Sequence, residues 1–151
     1  MKQLNFITLI LFSFLLVSYN KNINEFESRY SEDFRSISSS ITNISYPLSI
    51  YLSPNYEESN ENFPVIYTLD GQILYSTYLN ALTNLNTNVI MVSIHEGPPG
   101  RRDIDYILPG SLTYYDFLIE ELIPFIENNY KASSTNRTLF GTSNGGIMVN
   151  S

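Results

Sequence analysis

Arg137-Thr138-Leu139-Phe140-Gly141-Thr142-Ser143-Asn144-Gly145-Gly146 decides how the rest of the chain is read. A short apolar strand runs into Gly-x-Ser-x-Gly, and a second apolar segment, Ile147-Met148-Val149, follows. This is the sequence form of a nucleophile elbow. A serine hydroxyl is a poor nucleophile unless it is exposed, rigidly held and placed beside a base. A sharp strand-to-helix turn pushes Ser143 out at the top of a sheet, and Gly141 and Gly145 leave room where side chains would clash. The amide of Asn144, opening the next helix, then points at a developing oxyanion. The five-residue pattern alone is better explained as a plain Gly/Ser turn between two elements. The strand before it, Gly146 and the apolar run after it favour the elbow.

Upstream, two segments read as strands buried on both faces, Val65–Leu69 and Asn88–Ile94. The first stops at Asp70-Gly71, a turn at the carboxyl end of a strand, where open α/β sheets bind ligands. Between them 73–85 reads as a helix with Leu74, Tyr78, Leu82 and Leu85 on one stripe. Ile44, Tyr46, Leu48, Ile50 and Leu52 alternate along another strand, and Pro47 places that strand at an edge. Residues 34–42 suggest a further edge strand, and 54–63 an acidic, solvated loop. Residues 113–130 give the clearest helix, with Tyr115, Leu118, Ile119, Leu122 and Ile126 on one face. Ser111 or Thr113 is its expected cap, Pro124 its expected kink, and Glu120, Glu121 and Glu127 its expected solvent side. A polar connection over 131–136 leads to the elbow strand. Strands alternating with helices predict a parallel sheet covered on both faces.

The loop 95–109 is long enough to be functional. Its His95 precedes the serine and sits beside a strand end, which argues against a catalytic base. Arg101, Arg102 and Asp103 read as a solvated or structural charge cluster, with a substrate-facing or loop-pinning network as the alternative.

Composition narrows the field. The chain has 151 residues, a formal charge of −7, no cysteine and a single histidine. That is one domain at most, without disulfides, thiolate metal sites or a His-rich metal centre. The acidic balance argues against nucleic acid or an anionic membrane as partner. Twelve tyrosines and nine phenylalanines are available for a core. Residues 1–20 carry Lys2 and then an apolar run from Phe6 to Val17, short for a membrane span and suited to a signal peptide. The expectation is a secreted or extracytoplasmic protein, with an uncleaved membrane anchor or a merely hydrophobic start as alternatives. A linker over 21–33 and a domain over 34–151 follow. Asn43-Ile-Ser and Asn136-Arg-Thr are glycosylation sequons.

Four blocks together resemble the putative-esterase family of α/β-hydrolases, which includes esterase D, feruloyl esterases, siderophore esterases and mycolyltransferases. They are Pro64-Val-Ile-Tyr-Thr-Leu-Asp-Gly71, Arg101-Arg102-Asp103, Glu121-Leu-Ile-Pro-Phe-Ile-Glu127 with Tyr130, and Leu139-Phe-Gly-Thr-Ser-Asn-Gly-Gly146. The resemblance spans about residues 44–151 and implies an α/β-hydrolase-type, mostly parallel sheet with helices on both faces. It implies Ser143 as nucleophile, Asn144 as one oxyanion amide and Gln72 as the other, with no cofactor and no metal. It places the catalytic acid and histidine downstream of the elbow helix, and this sequence ends at Ser151. The expectation is therefore a partial domain with the elbow strand at a raw sheet edge and no base for Ser143. The function implied is hydrolysis of a small-molecule carboxylic ester or thioester through an acyl-enzyme. A catalytically inactive remnant or binding protein, and an acyltransferase, remain the alternatives.

Overall fold

The alternating run after Asn43 forms a strand as expected, but inside the sheet, one place in from the edge. The computed structural model describes residues 30–150. The apolar N-terminal run and most of the expected linker lie outside the described residues. The linker assignment is corrected at its end, because Ser31 to Asp33 already belong to a strand.

Five strands form one sheet: β1 (Ser31–Ser38), β2 (Ser45–Leu52), β3 (Phe63–Thr68), β4 (Ile90–Ile94) and β5 (Ala132–Phe140), in the order β1-β2-β4-β3-β5. The sheet is mixed. β1 and β2 run antiparallel to their neighbours, whereas β4, β3 and β5 are parallel. Pro47 is tolerated in the interior because of where it falls. Its carbonyl accepts the His95 N–H at 2.9 Å, one step past the last β2–β4 pair, Leu48 with Ile94. The N and C=O of a strand residue face the same neighbour, so the missing donor costs one bond at the very end of that ladder.

The two faces of the sheet are unequal. On one, Tyr46, Leu48, Ile50, Val65, Tyr67, Ile90 and Val92 pack in a continuous apolar core. A long helical rod closes it: α3 (Gly110–Phe117), a π-helical turn (Leu118–Leu122) and α4 (Ile123–Asn129). Tyr46 stacks on Phe117 with ring centroids 4.6 Å apart and meets Tyr114 edge-on at 5.6 Å. On the other face lies α1 (Gly71–Leu85), of which only Gly71 is buried. Leu85, expected on its apolar stripe, is 69% exposed. The sheet face under α1 carries a polar row beside buried Tyr51 and Met91. Ser49, Ser93 and Thr68 occupy one row across β2, β4 and β3, and the Thr68 and Ser93 hydroxyls share a 2.6 Å hydrogen bond.

The rod departs from its expected form in three ways. It starts at Gly110 rather than at a Ser111 or Thr113 cap, and Ser111 is buried within it. The anticipated break at Pro124 appears as the preceding π turn, where the Ile123 N–H donates to the Leu118 carbonyl. That widening relieves the turn into which the proline ring would intrude. Tyr115 and Ile119 face away from the core. The acidic residues are not all free in solvent either. Glu121 accepts hydrogen bonds from the Ser40 amide (2.9 Å) and hydroxyl (2.6 Å), and Glu127 pairs with Arg137.

Two polar connections carry more structure than their composition suggests. In the loop before β3, Tyr56 is buried and Lys131 Nζ donates to the carbonyls of Tyr56, Glu57 and Ser59. From Ala132 onward the stretch 131–136 is already part of β5. Its pairing with β3 jumps from Ala132–Phe63 to Arg137–Val65, and the excess polar residues bulge out. β5 ends the sheet, with Phe140 45% exposed. Apolar grooves of about 250 and 190 Å3 flank it, one lined by Tyr67, Ile119 and Leu139, the other by Ile66, Tyr78 and Phe140.

Candidate active site

The carboxyl ends of β3 and β5 lie side by side, because Thr68 is paired with Phe140 and the Leu69 amide donates to the Phe140 carbonyl at 3.0 Å. Each strand then turns directly into a helix: β3 through Asp70 into α1, β5 through Gly141-Thr142-Ser143 into α5 (Asn144–Val149). The two turns that carry the expected site residues are therefore neighbours by topology.

Ser143 has φ 54° and ψ −125°. L-residues avoid that region, and holding one there costs about 1–3 kcal/mol, which the surroundings must supply. The side chain is exposed. Its carbonyl accepts the Ile147 N–H at 3.1 Å, so α5 begins immediately after the strained residue. Gly141 and Gly145 are needed for space. A Cβ on Gly141 would lie 2.4 Å from the Gly145 carbonyl oxygen, and one on Gly145 would lie 3.3 Å from Asp70 Oδ2. Asn144 is the first residue of α5 and Gln72 the second of α1. Neither backbone N–H has an intramolecular acceptor among the described residues.

Asp70 was read in the sequence only as part of a turn, yet it organises this end of the sheet. It is 2% exposed, and it adopts the left-handed conformation at φ 61°. Arg102, from α2 (Arg101–Asp105), grips its carboxylate with both arms: Nε donates to Oδ1 at 2.6 Å and Nη2 to Oδ2 at 3.1 Å. That bonding raises the guanidinium pKa above its ordinary value. Arg102 also lies over the Tyr106 ring, 5.3 Å from its centre, and the Tyr106 hydroxyl accepts the Asp70 N–H at 3.3 Å. Further along, the Arg102 amide donates to Glu96 Oε1 (3.2 Å), and the Glu96 amide donates to Gln72 Oε1 (2.8 Å). A closed ring thus joins the two flanks of the Asp70–Gln72 turn. Arg101 is paired at 2.7 Å with buried Asp105, which also accepts from the Tyr46 hydroxyl at 2.8 Å. Burial pushes the Tyr46 phenol up to about 12. The arginines pin the loop, each to an aspartate other than Asp103, which is exposed. The sequence offered one sign of this arrangement, an acidic residue ending an otherwise apolar strand.

His95 has a different engagement. Its Nε2 shares a 2.8 Å hydrogen bond with Ser49 Oγ, and its ring packs where a Cβ on Gly71 would stand. Burial lowers its pKa. No group of three or more His, Cys, Asp or Glu side chains that could hold a metal ion occurs among the described residues. No helix among them is long and apolar enough to cross a membrane.

Solved structures share this architecture. An IroE-like serine hydrolase from Shewanella oneidensis superposes with a TM-score of 0.69 at 25% identity, over 78% of this chain and 44% of its own. The ferulic acid esterase AmCE1/Fae1A from Anaeromyces mucronatus gives 0.61 at 22%, over 78% and 51%. An S-formylglutathione hydrolase from Agrobacterium tumefaciens gives 0.60 at 19%, over 80% and 51%. The chain thus spans about half the length of these structures. No curated protein matches it in sequence. The family model described as "Putative esterase" matches residues 39–149, and with that match the α/β-hydrolase-type chain belongs to the putative esterase family.

Proposed function

We propose that this chain carries the nucleophile and oxyanion-binding part of a serine esterase acting on a small-molecule carboxylic ester or thioester. The observation that carries the reading is Ser143: exposed, strained, glycine-flanked and set at the carboxyl end of β5 beside the β3 turn. The Ser143 Oγ attacks the acyl carbon and gives up its proton to a base. The carbonyl oxygen becomes an oxyanion that accepts from the Gln72 and Asn144 N–H groups, each without a competing partner. Collapse of the tetrahedral species expels the alcohol or thiol, which takes the proton. Water then attacks the acyl-enzyme and returns the serine with release of the acid. Neither a cofactor nor a metal takes part.

The proton acceptor and its orienting acid are taken to lie outside residues 30–150, since the chain's one histidine is committed to Ser49. That commitment also supports a second reading, a catalytically silent protein of the same fold. Extracytoplasmic location is proposed on the apolar run at 6–17 alone. Hydrolysis of p-nitrophenyl acetate by the full natural chain separates the two readings. Turnover abolished in Ser143→Ala supports the esterase, and equal background rates in both proteins support the silent one.

A further inference from the structure

Along a strand, successive backbone N–H groups point to alternate neighbours. The His95 N–H donates to the Pro47 carbonyl of β2, so the Glu96 N–H faces the side of β3. β3 has ended there: its last pair with β4 is Thr68 with Ser93, and the chain turns at Asp70 into α1. The next carbonyl in that register, that of Asp70, is already taken by the Ile73 and Leu74 N–H groups at 2.9 Å. A buried or half-buried backbone donor needs an acceptor, and the Gln72 side chain supplies it, with Oε1 2.8 Å from the Glu96 nitrogen. One residue earlier, Gly71 lies against the His95 ring, where a Cβ would stand 2.6 Å from Cδ2, and Ser49 holds that ring at Nε2.

We infer that the Gln72 side chain is a positioning group for its own backbone N–H: by standing in for the missing β3 carbonyl it fastens the first turn of α1 to β4 and aims the oxyanion donor. α1 buries only Gly71, and its body is held farther along, by Tyr75 on Glu32 and Tyr78 against the Phe140 ring. Packing of the helix therefore does little to fix its first turn. That turn is tied to both neighbouring strands by hydrogen bonds. On one side the Leu69 N–H donates to the Phe140 carbonyl, at the foot of the Ser143 elbow. On the other, Gln72 reaches the end of β4. Arg102 and Tyr106 hold Asp70, just outside the helix. The Gln72–Glu96 bond is the tie made by the donor residue itself. It sets the direction of the Gln72 N–H relative to the Asn144 N–H, which the elbow carries.

The inference rests on the serine-esterase reading, and its test keeps the two apart. The full natural chain, Ser143→Ala, Gln72→Met, Glu96→Pro and the double variant Gln72→Met/Glu96→Pro are compared on p-nitrophenyl acetate and on its thionoester, O-p-nitrophenyl thionoacetate. Rates are taken per titrated active site, with thermal midpoints measured alongside. Methionine keeps the length of the side chain and the backbone N–H but lacks the acceptor. The Gln72 side chain is exposed, so folding should be little affected. Gln72→Met is expected to lower kcat on the oxygen ester about 10- to 100-fold with KM little changed, since a small displacement in such a site costs rates of that order. The thionoester should lose much less, because sulfur is a weak hydrogen-bond acceptor and draws little on the oxyanion donors. Glu96→Pro removes the same bond from the donor side, and the double variant should be no slower than the slower single one. Should Glu96→Pro not fold, the contrast between the two esters in Gln72→Met decides alone. Unchanged kcat in Gln72→Met, or an equal loss on both esters, overturns the inference and leaves the esterase reading standing. Equal activity of the natural chain and Ser143→Ala overturns the esterase reading and the inference with it.

Discussion

Gly141 and Gly145 touch across the elbow: a Cβ on the first would stand 2.4 Å from the carbonyl oxygen of the second. Backbone cannot move aside as a side chain can. Gly141→Ala is therefore expected to destabilise the fold by about 1–3 kcal/mol through overpacking, read from urea denaturation. Gly145→Ala meets only the Asp70 carboxylate and the Leu69 side chain, at 3.3 and 3.5 Å, so its cost should be smaller. Equal costs would contradict the contact as described.

Lys131 ties the loop before β3 to the start of β5. Its ammonium donates to three carbonyls and sits 4.9 Å from the centre of the Tyr56 ring. Lys131→Met keeps the stem and removes the donors. A loss of about 1–3 kcal/mol is expected, with new proteolytic cleavage within residues 54–62. Unaltered stability and cleavage would show that the loop is held by other means.

The buried Asp105 carboxylate has two partners, Arg101 and the Tyr46 hydroxyl. Tyr46→Phe preserves the stacking on Phe117 and removes one hydrogen bond to a charged group. The expected cost is about 1.5–3 kcal/mol, measured by denaturant titration. A neutral substitution would mean that Arg101 alone satisfies the carboxylate.

His95 couples stability to pH. Burial lowers its folded pKa below the ordinary 6.5, so the unfolded chain binds the proton more readily. The stability from this group is present in full above about pH 6.5 and is lost as the pH falls from there through the lower folded value. A thermal midpoint followed from pH 8 to pH 5 should fall more steeply in the natural chain than in His95→Gln. Parallel curves would remove His95 as the cause.

The parts legible in the sequence were those encoded locally. Four alternating apolar residues of β2 reached the core, with Ile44 just before the strand packed against it, and the continuous runs of β3 and β4 became interior strands. The elbow glycines were legible because their contact spans only four positions. What escaped depends on partners far along the chain. The tie of Asp70 to Arg102 crosses 32 positions, and its one local sign is an acidic residue ending an otherwise apolar strand, which does not name the partner. The interior position of Pro47 depends on which neighbour its nitrogen faces, and strand order decides that. The stripe assigned to the rod was wrong at Tyr115 and Ile119 because a π turn over Leu118–Leu122, which includes Ile119, changes the helical period there.

Mapping the adduct of a fluorophosphonate probe tests the central claim most directly. Treated with the probe and digested with trypsin, the full natural chain should carry the phosphonyl group on Ser143, in the peptide that follows Arg137, and Ser143→Ala should carry none. Modification at another serine with Ser143 untouched, or undiminished labelling of Ser143→Ala, would contradict the account.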